Sequence, residues 1–370
     1  MTATGLAPAV MDHAGRLAAL QRAFGTHGVD AFVVTNLLNV RYLSGFSGSN
    51  GVLVVTAEDA RLVTDGRYRE QAAIELDEAG VAGLLELTIE SLDFDGALAA
   101  AVAGRARVGL EATTITWAAQ RRYAARFVGS DLVPLTNVVE LLRAVKDAGE
   151  IERIERAAEI ADAALVQTIG RLHGRPTERD FALTLEAAMR RMGADGPSFD
   201  TIVASGPNGA RPHARPSARR IERGDLVVLD FGAKLGGYHS DMTRTVCVGP
   251  PSAQQRRLFE VVLAAHETAR AGVRAGVATK EIDALARGVI GEAGWAEQFD
   301  HGTGHGIGLA VHEYPILSRA TPGTLERDYV VTIEPGVYLP GLGGVRVEDT
   351  VVVGESGCRS LTLFPKALEV

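Results

Sequence analysis

Residues 226–249 read LVVLDFGAKLGGYHSDMTRTVCVG. Two apolar runs rich in β-branched residues flank Gly236-Gly237, the pattern of antiparallel strands joined by a tight hairpin. Each run contains an acid that an apolar strand should not have: Asp230 in the first and Asp241, with Arg244, in the second. An ionised carboxylate in such a strand loses hydration and needs a cation, a salt bridge or several hydrogen bonds. The pattern recurs downstream, where Glu334 interrupts VVTIEPG and Glu348 with Asp349 interrupts GVRVEDTVVV. One such acid is ordinarily a surface residue or half of an ion pair. Four in one region differ, because buried anions repel one another and divalent cations compensate them.

Working outward from the hairpin, the surrounding chain reads as helix. Ile151, Ile154, Ala158, Ala161, Leu165 and Ile169 are spaced 3, 4, 3, 4 and 4 apart, one apolar stripe on a helix. Further helices are predicted at about 177–192, 253–272 and 279–293, with Thr177-x-x-Asp180 and Ser252-x-x-Gln255 as capping boxes at two of their starts. Helices with antiparallel hairpins in one domain predict an α+β architecture for residues 144–370. Before it, RLAALQRAFGTHG, YREQAAIELDEAG and TWAAQRRYAARF read as helices, while AFVVT, GVLVVT, ARLVT and RVGLE read as strands. That alternation predicts a smaller α/β domain over residues 1–143.

A chain of 370 residues suits two domains. Its formal net charge of −8 argues against a nucleic-acid partner, whose footprint is a basic patch. No stretch approaches the roughly 18 uninterrupted apolar residues of a membrane span, and the first fifteen residues lack the pattern of a signal peptide. The two cysteines, Cys247 and Cys358, form no framework, although the sequence leaves a single bridge between them open. These features predict a soluble cytoplasmic protein.

Three of the nine histidines, His301, His305 and His312, fall within twelve residues. The segment HGTGHGIG, residues 301–308, surrounds His305 with Gly302, Gly304, Gly306 and Gly308, which lets other backbone or ligand atoms approach closely, the clearance that an inner-shell histidine needs. Phosphate binding fails on spacing. In a G-x-G-x-x-G fingerprint begun at Gly302 or Gly304 the last glycine falls on Ile307 or Leu309, and no Lys-Ser/Thr follows as in a P-loop. Four carboxylates and one imidazole make an oxygen-rich donor set, suited to harder divalent ions such as Mn²⁺. Five donors are generous for one ion and suit two bridged by carboxylates.

These residues resemble the pita-bread metallopeptidases: methionine aminopeptidase, prolidase, aminopeptidase P and the metal-free creatinase. That pattern is Asp, Asp eleven residues later, His in G-H-G-[IV]-G, Glu in E-P-G and Glu in R-[IV]-E-D. Here Asp230, Asp241, His305, Glu334 and Glu348 match in type, order and context. The resemblance implies that Asp241 and Glu348 bridge two divalent ions, Mn²⁺ foremost, with Co²⁺ or Zn²⁺ as alternatives. Asp230 would bind one ion, and His305 with Glu334 the other. Glu334 would also take a proton from the bridging water and pass it to the leaving nitrogen. His213, in SGPNGARPHA, and His312, in VHE, resemble the histidines that contact substrate or intermediate. His301, Tyr338 and Arg346 lie beside ligands and are candidates for supporting them or touching substrate, with ordinary packing as the alternative.

NVRYLSGFSGSNG and LVTDGRYREQA resemble the creatinase-type N-terminal domain of prolidases and aminopeptidases P, which methionine aminopeptidases usually lack. The implied fold is a pita-bread catalytic domain preceded by that smaller domain, and the implied assembly is a homodimer. The implied substrates are small peptides with proline in second position, whose scissile tertiary amide has no N–H. Archaeal-type prolidases carry an arginine in VHE-x-P-R, where this chain has Ile316 in VHEYPIL. A dipeptidase must hold the proline carboxylate, often with an arginine. Arg319 or Arg41 could replace the missing one. The departure favours an aminopeptidase P-like enzyme working through a dinuclear-metal-bridged hydroxide, with an Xaa-Pro dipeptidase as the alternative. A methionine aminopeptidase and a non-catalytic binding protein are weaker readings.

Overall fold

Short β-branched runs alternating with amphipathic helices build the first part of the chain around one six-stranded sheet. The structure is a computed structural model that describes residues 9–370. These fall into two units, Ala9–Arg143 and Ala144–Val370. In the first, the wholly buried strand Ala31–Val34 pairs antiparallel with Gly51–Thr56 and parallel with Arg107–Glu111. Ala60–Thr64 and Leu85–Ile89 extend one side, and Asp131–Leu135 the other. Pro134 sits in that last, edge strand, where its missing N–H breaks no ladder. The helix His13–His27 ends at Gly28, whose φ of 62° is the left-handed cap glycine tolerates.

Among the described residues, helices Leu37–Ser44, Phe94–Ala101 and Val138–Ala144 and strands Leu85–Ile89 and Asp131–Leu135 escape a periodicity reading. Each is eight residues or shorter. Leu37–Ser44 is fixed by its ends instead, with Asn36 accepting from Leu38 N and Gly45 left-handed at φ 80°.

The second unit is α+β. Helices Ala148–Thr168 and Glu178–Arg191 cover strands Ile202–Ser205, Leu226–Phe231 and Met242–Cys247 through one apolar cluster. Helices Ala253–Gly272 and Thr279–Glu292 cover Val330–Ile333, Gly343–Arg346 and Asp349–Val353 through another. The first helix buries Ile154, Ala158, Ala161 and Leu165 of the expected stripe, with Ile151 and Ile169 only half-buried. Ser252 and Gln255 form a full capping box, as do Asp147 and Glu150. At Thr177 the side chain accepts from Asp180 N. The shorter aspartate does not complete the box among the described residues. Cys247 and Cys358 are both free thiols, so the bridge left open by the sequence is not made.

The hairpin at 226–249 forms in two stages. Lys234 pairs with His239 and Leu235 with Tyr238, closing a two-residue turn at Gly236 and Gly237, with φ 57° and 85°. Positive φ at both positions is the turn whose twist matches the strands. Beyond it, Leu226–Phe231 and Met242–Cys247 pair with Asp230 opposite Thr243.

One expectation needs correction. Of the four acids read as lying inside strands, only Asp230 does. Asp241 precedes Met242–Cys247, Glu334 follows Val330–Ile333, and Glu348 lies between Gly343–Arg346 and Asp349–Val353. The last two lie where the chain passes between the five-stranded sheet and the two-stranded one. A hydropathy pattern runs through such a break unchanged.

The strand Gly304–Gly306 lies between Glu313–Leu317 and Val330–Ile333. A Cβ on Gly304 would sit 1.9 Å from the Thr332 carbonyl oxygen, and one on Gly306 2.3 Å from that of Tyr314. These glycines therefore admit neighbouring backbone. Gly304→Ala should lower stability by about 1–3 kcal/mol, read as a lower denaturant midpoint at unchanged slope. An unchanged midpoint would contradict the close approach.

Candidate active site

Asp230 and Asp241 meet because of the hairpin register. Asp230 faces Thr243 across the strand pair, and Asp241 lies two residues before Thr243. Side chains two apart share a face, so the two acids are diagonal neighbours on one face with Thr243 between them. Thr243 Oγ1 donates to Glu348 Oε2 at 2.7 Å and accepts from Arg346 Nε at 3.0 Å. Thr243 was not a sequence candidate. Its signal was available in the alternation from Asp241.

A cavity of about 520 Å³ opens over this face. Asp230, Asp241, His305, Glu334 and Glu348 all line it, as do His213, His301, His312 and Arg346. Tyr338 lies behind the wall: its hydroxyl accepts from Arg346 Nη1 at 2.7 Å and lies 3.0 Å from His301 Nε2. His301 Nδ1 is 2.8 Å from the Gly302 carbonyl. An Nδ1–H donated there lets Nε2 accept from Tyr338, giving a continuous chain Arg346–Tyr338–His301. Arg346 also donates to Asp230 Oδ2 at 2.5 Å. The chain of hydrogen bonds links these three residues to Asp230.

His305 Nδ1 lies 3.0 Å from the Gly306 carbonyl. A proton on Nδ1, shared with that oxygen, leaves the Nε2 lone pair toward Glu334 Oε1 at 3.3 Å and Asp241 Oδ2 at 3.8 Å. One donor atom each from Asp241, His305 and Glu348 lie within 4.8 Å of one another, so these three can hold a divalent ion. Asp230 Oδ1 and Glu348 Oε1 are buried and accept no hydrogen bond from any described residue. A buried orphan oxygen is costly, and a cation offsets that cost. The residues present therefore fit a divalent metal. His312 stacks obliquely on His305, ring centres 4.3 Å apart, with its side chain exposed to the cavity. His213 is likewise exposed.

The electrostatics follow from burial. Loss of hydration, then the carboxylates of Glu348, Asp230 and Glu334, pushes Asp241 well above the usual carboxyl range. Glu348 is pushed well up by burial and then by Glu334 and Asp230. Burial raises Glu334 too, against the opposing influence of His301 and Arg346. Burial lowers His305, and burial with the neighbouring His305 lowers His312, so both favour the neutral imidazole. His301 is lowered by burial, and the buried Tyr338 phenol is pushed up to about 12. Without metal, protons must partly neutralise the acid cluster; with metal, cations do so and protons leave.

Two sequence models match the chain. Residues 152–355 match metallopeptidase family M24, and residues 16–145 match the creatinase/prolidase N-terminal domain. An Xaa-Pro dipeptidase of Pyrococcus furiosus is 36% identical over 354 residues, covering 95% of this chain and 99% of that protein. A solved Xaa-Pro dipeptidase from Bacillus anthracis superimposes with a TM-score of 0.92 at 38% identity, covering 97% of this chain and 100% of that one. The X-Pro aminopeptidase of Thermotoga maritima MSB8 superimposes with a TM-score of 0.86, also at 38% identity, covering 94% and 100%.

The raised carboxyls carry a signed prediction. A carboxyl with a raised folded pKa contributes stability that is present below its unfolded value and lost as pH climbs through the folded one. Asp241→Asn imitates the protonated acid. In metal-free protein its stability advantage over wild type should grow from about pH 5 to about pH 8, and saturating Mn²⁺ should reverse the order. Thermal melts that show a pH-independent difference would contradict this.

Proposed function

Since the chain belongs to metallopeptidase family M24, we propose that it is a metal-dependent Xaa-Pro dipeptidase. The observation that carries the reading is the converged donor set of Asp241, His305 and Glu348, with Asp230 and Glu334 beside it, under two histidines in one cavity. The relatives support proline in second position and weigh toward dipeptides. They weigh against the aminopeptidase P-like preference drawn from Ile316. That preference keeps one supporting observation: Ile316 lines the cavity, so the position expected to hold a carboxylate-binding arginine is apolar.

In this reading Asp241, Glu348 and His305 would hold divalent metal, with Asp230 and Glu334 as the further donors beside them. Four carboxylates among five donors favour Mn²⁺ over softer ions, with Co²⁺ and Zn²⁺ as alternatives. When bound, the ions supply Lewis acidity, which acidifies water and polarises the scissile carbonyl. Glu334 takes the proton from the attacking water and delivers it to the proline nitrogen as the C–N bond breaks. Its place on the cavity wall beside His305 puts it where a proton can move between water and substrate. His213 and His312 donate hydrogen bonds to the carbonyl oxygen as charge develops there. Arg346 holds Asp230 in place, and Tyr338 and His301 hold Arg346. Phe199, Ile202, Val311 and Ile316 line the cavity with apolar surface suited to the pyrrolidine ring. In this reading the protein works as a homodimer, as the resemblance to prolidases and aminopeptidases P implies. Among the described residues no helix is long and apolar enough to cross a membrane.

With Mn²⁺ the protein should hydrolyse an Xaa-Pro dipeptide faster than the matching Xaa-Pro-Xaa tripeptide. Chelation should abolish the activity, and Asp241→Asn or Glu348→Gln should lower kcat/KM by at least about a hundredfold. Full-rate cleavage by metal-free protein would overturn the mechanism. Preference for the tripeptide would restore the aminopeptidase reading.

A further inference from the structure

The cavity wall carries five acids, Asp200 and the four carboxylates described above, and two cations, Arg215 and Arg346. A peptide that ends at the proline must bring its free carboxylate into this anionic space, next to the scissile bond. Arg346 is not available to meet it. Its side chain is buried, and its three nitrogens are engaged by Thr243, Tyr338, Pro212 O and Asp230. Arg319 is not among the lining residues. Arg215 is exposed, and its guanidinium makes no ion pair or hydrogen bond with any described residue.

Arg215 nonetheless stands on a firmly held segment. Glu178, fully buried at the start of its helix, accepts through Oε1 from Ser205 N and Ser205 Oγ, both at 2.7 Å. Through Oε2 it accepts from Ser217 N at 3.0 Å and Ser217 Oγ at 2.6 Å. One carboxylate thus ties together both ends of the 205–217 loop. Within the loop, Ala214 is buried against Ile202, Ala204 and Val228, leaving His213 and Arg215 on either side of it as exposed lining residues. The residue read as touching the reacting carbonyl and the free guanidinium are therefore two positions apart.

We infer that Arg215 binds the substrate's C-terminal carboxylate and thereby sets the preference for dipeptides, an inference that rests on the Xaa-Pro peptidase reading. A guanidinium supplies two parallel donors to a carboxylate. A longer peptide has an amide at that point and forfeits the charge-assisted pair. The arginine arrives from the 205–217 loop and compensates for the apolar Ile316, which lines the same cavity.

The test compares Ala-Pro with Ala-prolinamide, which has the same scissile bond and no terminal carboxylate, in the Mn²⁺-loaded full-length protein. Wild type should show a lower KM for Ala-Pro. Arg215→Ala should raise the KM for Ala-Pro relative to that for the amide by about tenfold or more, with kcat for Ala-Pro changed far less. Arg215→Lys should recover part of the difference, because it restores charge without the planar fork. Equal effects of Arg215→Ala on both substrates, or no effect on either, would overturn the assignment while leaving the peptidase reading intact. So would a wild type that does not distinguish the two substrates. A wild type that cleaves neither would overturn the peptidase reading and this inference with it.

Discussion

The buried guanidinium of Arg346, paired with Asp230, is set against four carboxylates gathered on the floor of one cavity. That imbalance is the constraint on which the rest of the catalytic unit depends. Acids this close and this dry cannot all ionise without positive charge nearby. The raised carboxyls of Asp241, Glu334 and Glu348 are the response of the metal-free chain. Divalent cations would relieve the same strain and leave the oxygens ionised, and on the proposed function they would also activate water.

The scaffold serves this cluster with few degrees of freedom. A two-glycine turn fixes the register that makes Asp230 and Asp241 diagonal neighbours. Thr243, between them, ties Glu348 and Arg346 to the same strand pair. Behind Glu348, Asp349 turns into the core, where Arg244 donates to Oδ1 at 2.9 Å and Lys366 pairs with Oδ2 at 2.7 Å. Adjacent acids in one dipeptide thus meet opposite fates. Asp349 is held below the usual carboxyl range because, despite burial, His266 and Arg244 stabilise its charge, whereas at Glu348 burial and the neighbouring Glu334 and Asp230 outweigh Arg346. His305 reaches the cluster on a strand whose glycines let it lie against two neighbours.

Much of this was legible in the sequence because it is local. The helices at 253–272 and 279–293 announce themselves by periodicity and, for the first, by Ser252 and Gln255. The hairpin is written in Gly236-Gly237, and the five candidate ligands in their immediate contexts. What escaped is nonlocal. That Glu334 and Glu348 stand at breaks between sheets depends on how strands pair, and hydropathy does not record pairing. The grip of Glu178 on Ser205 and Ser217 spans up to 39 residues. The glycines of residues 301–308 leave room for other backbone or for ligand atoms, and sequence alone does not choose between them. Gly304 and Gly306 chiefly make room for backbone, because the atoms a side chain would strike are carbonyls of adjacent strands. The same limit explains Arg215: Ile316 signalled a missing cation, and only the folded loop reveals where another enters the cavity.

The account stands on the claim that this acid cluster is a two-ion site. Anomalous diffraction from crystals grown with Mn²⁺ tests it directly. Two peaks per chain are expected, both within coordination reach of Asp241 and Glu348, one also beside Asp230 and the other beside His305 and Glu334. A crystal of active protein with no peak between Asp241 and Glu348 would contradict it.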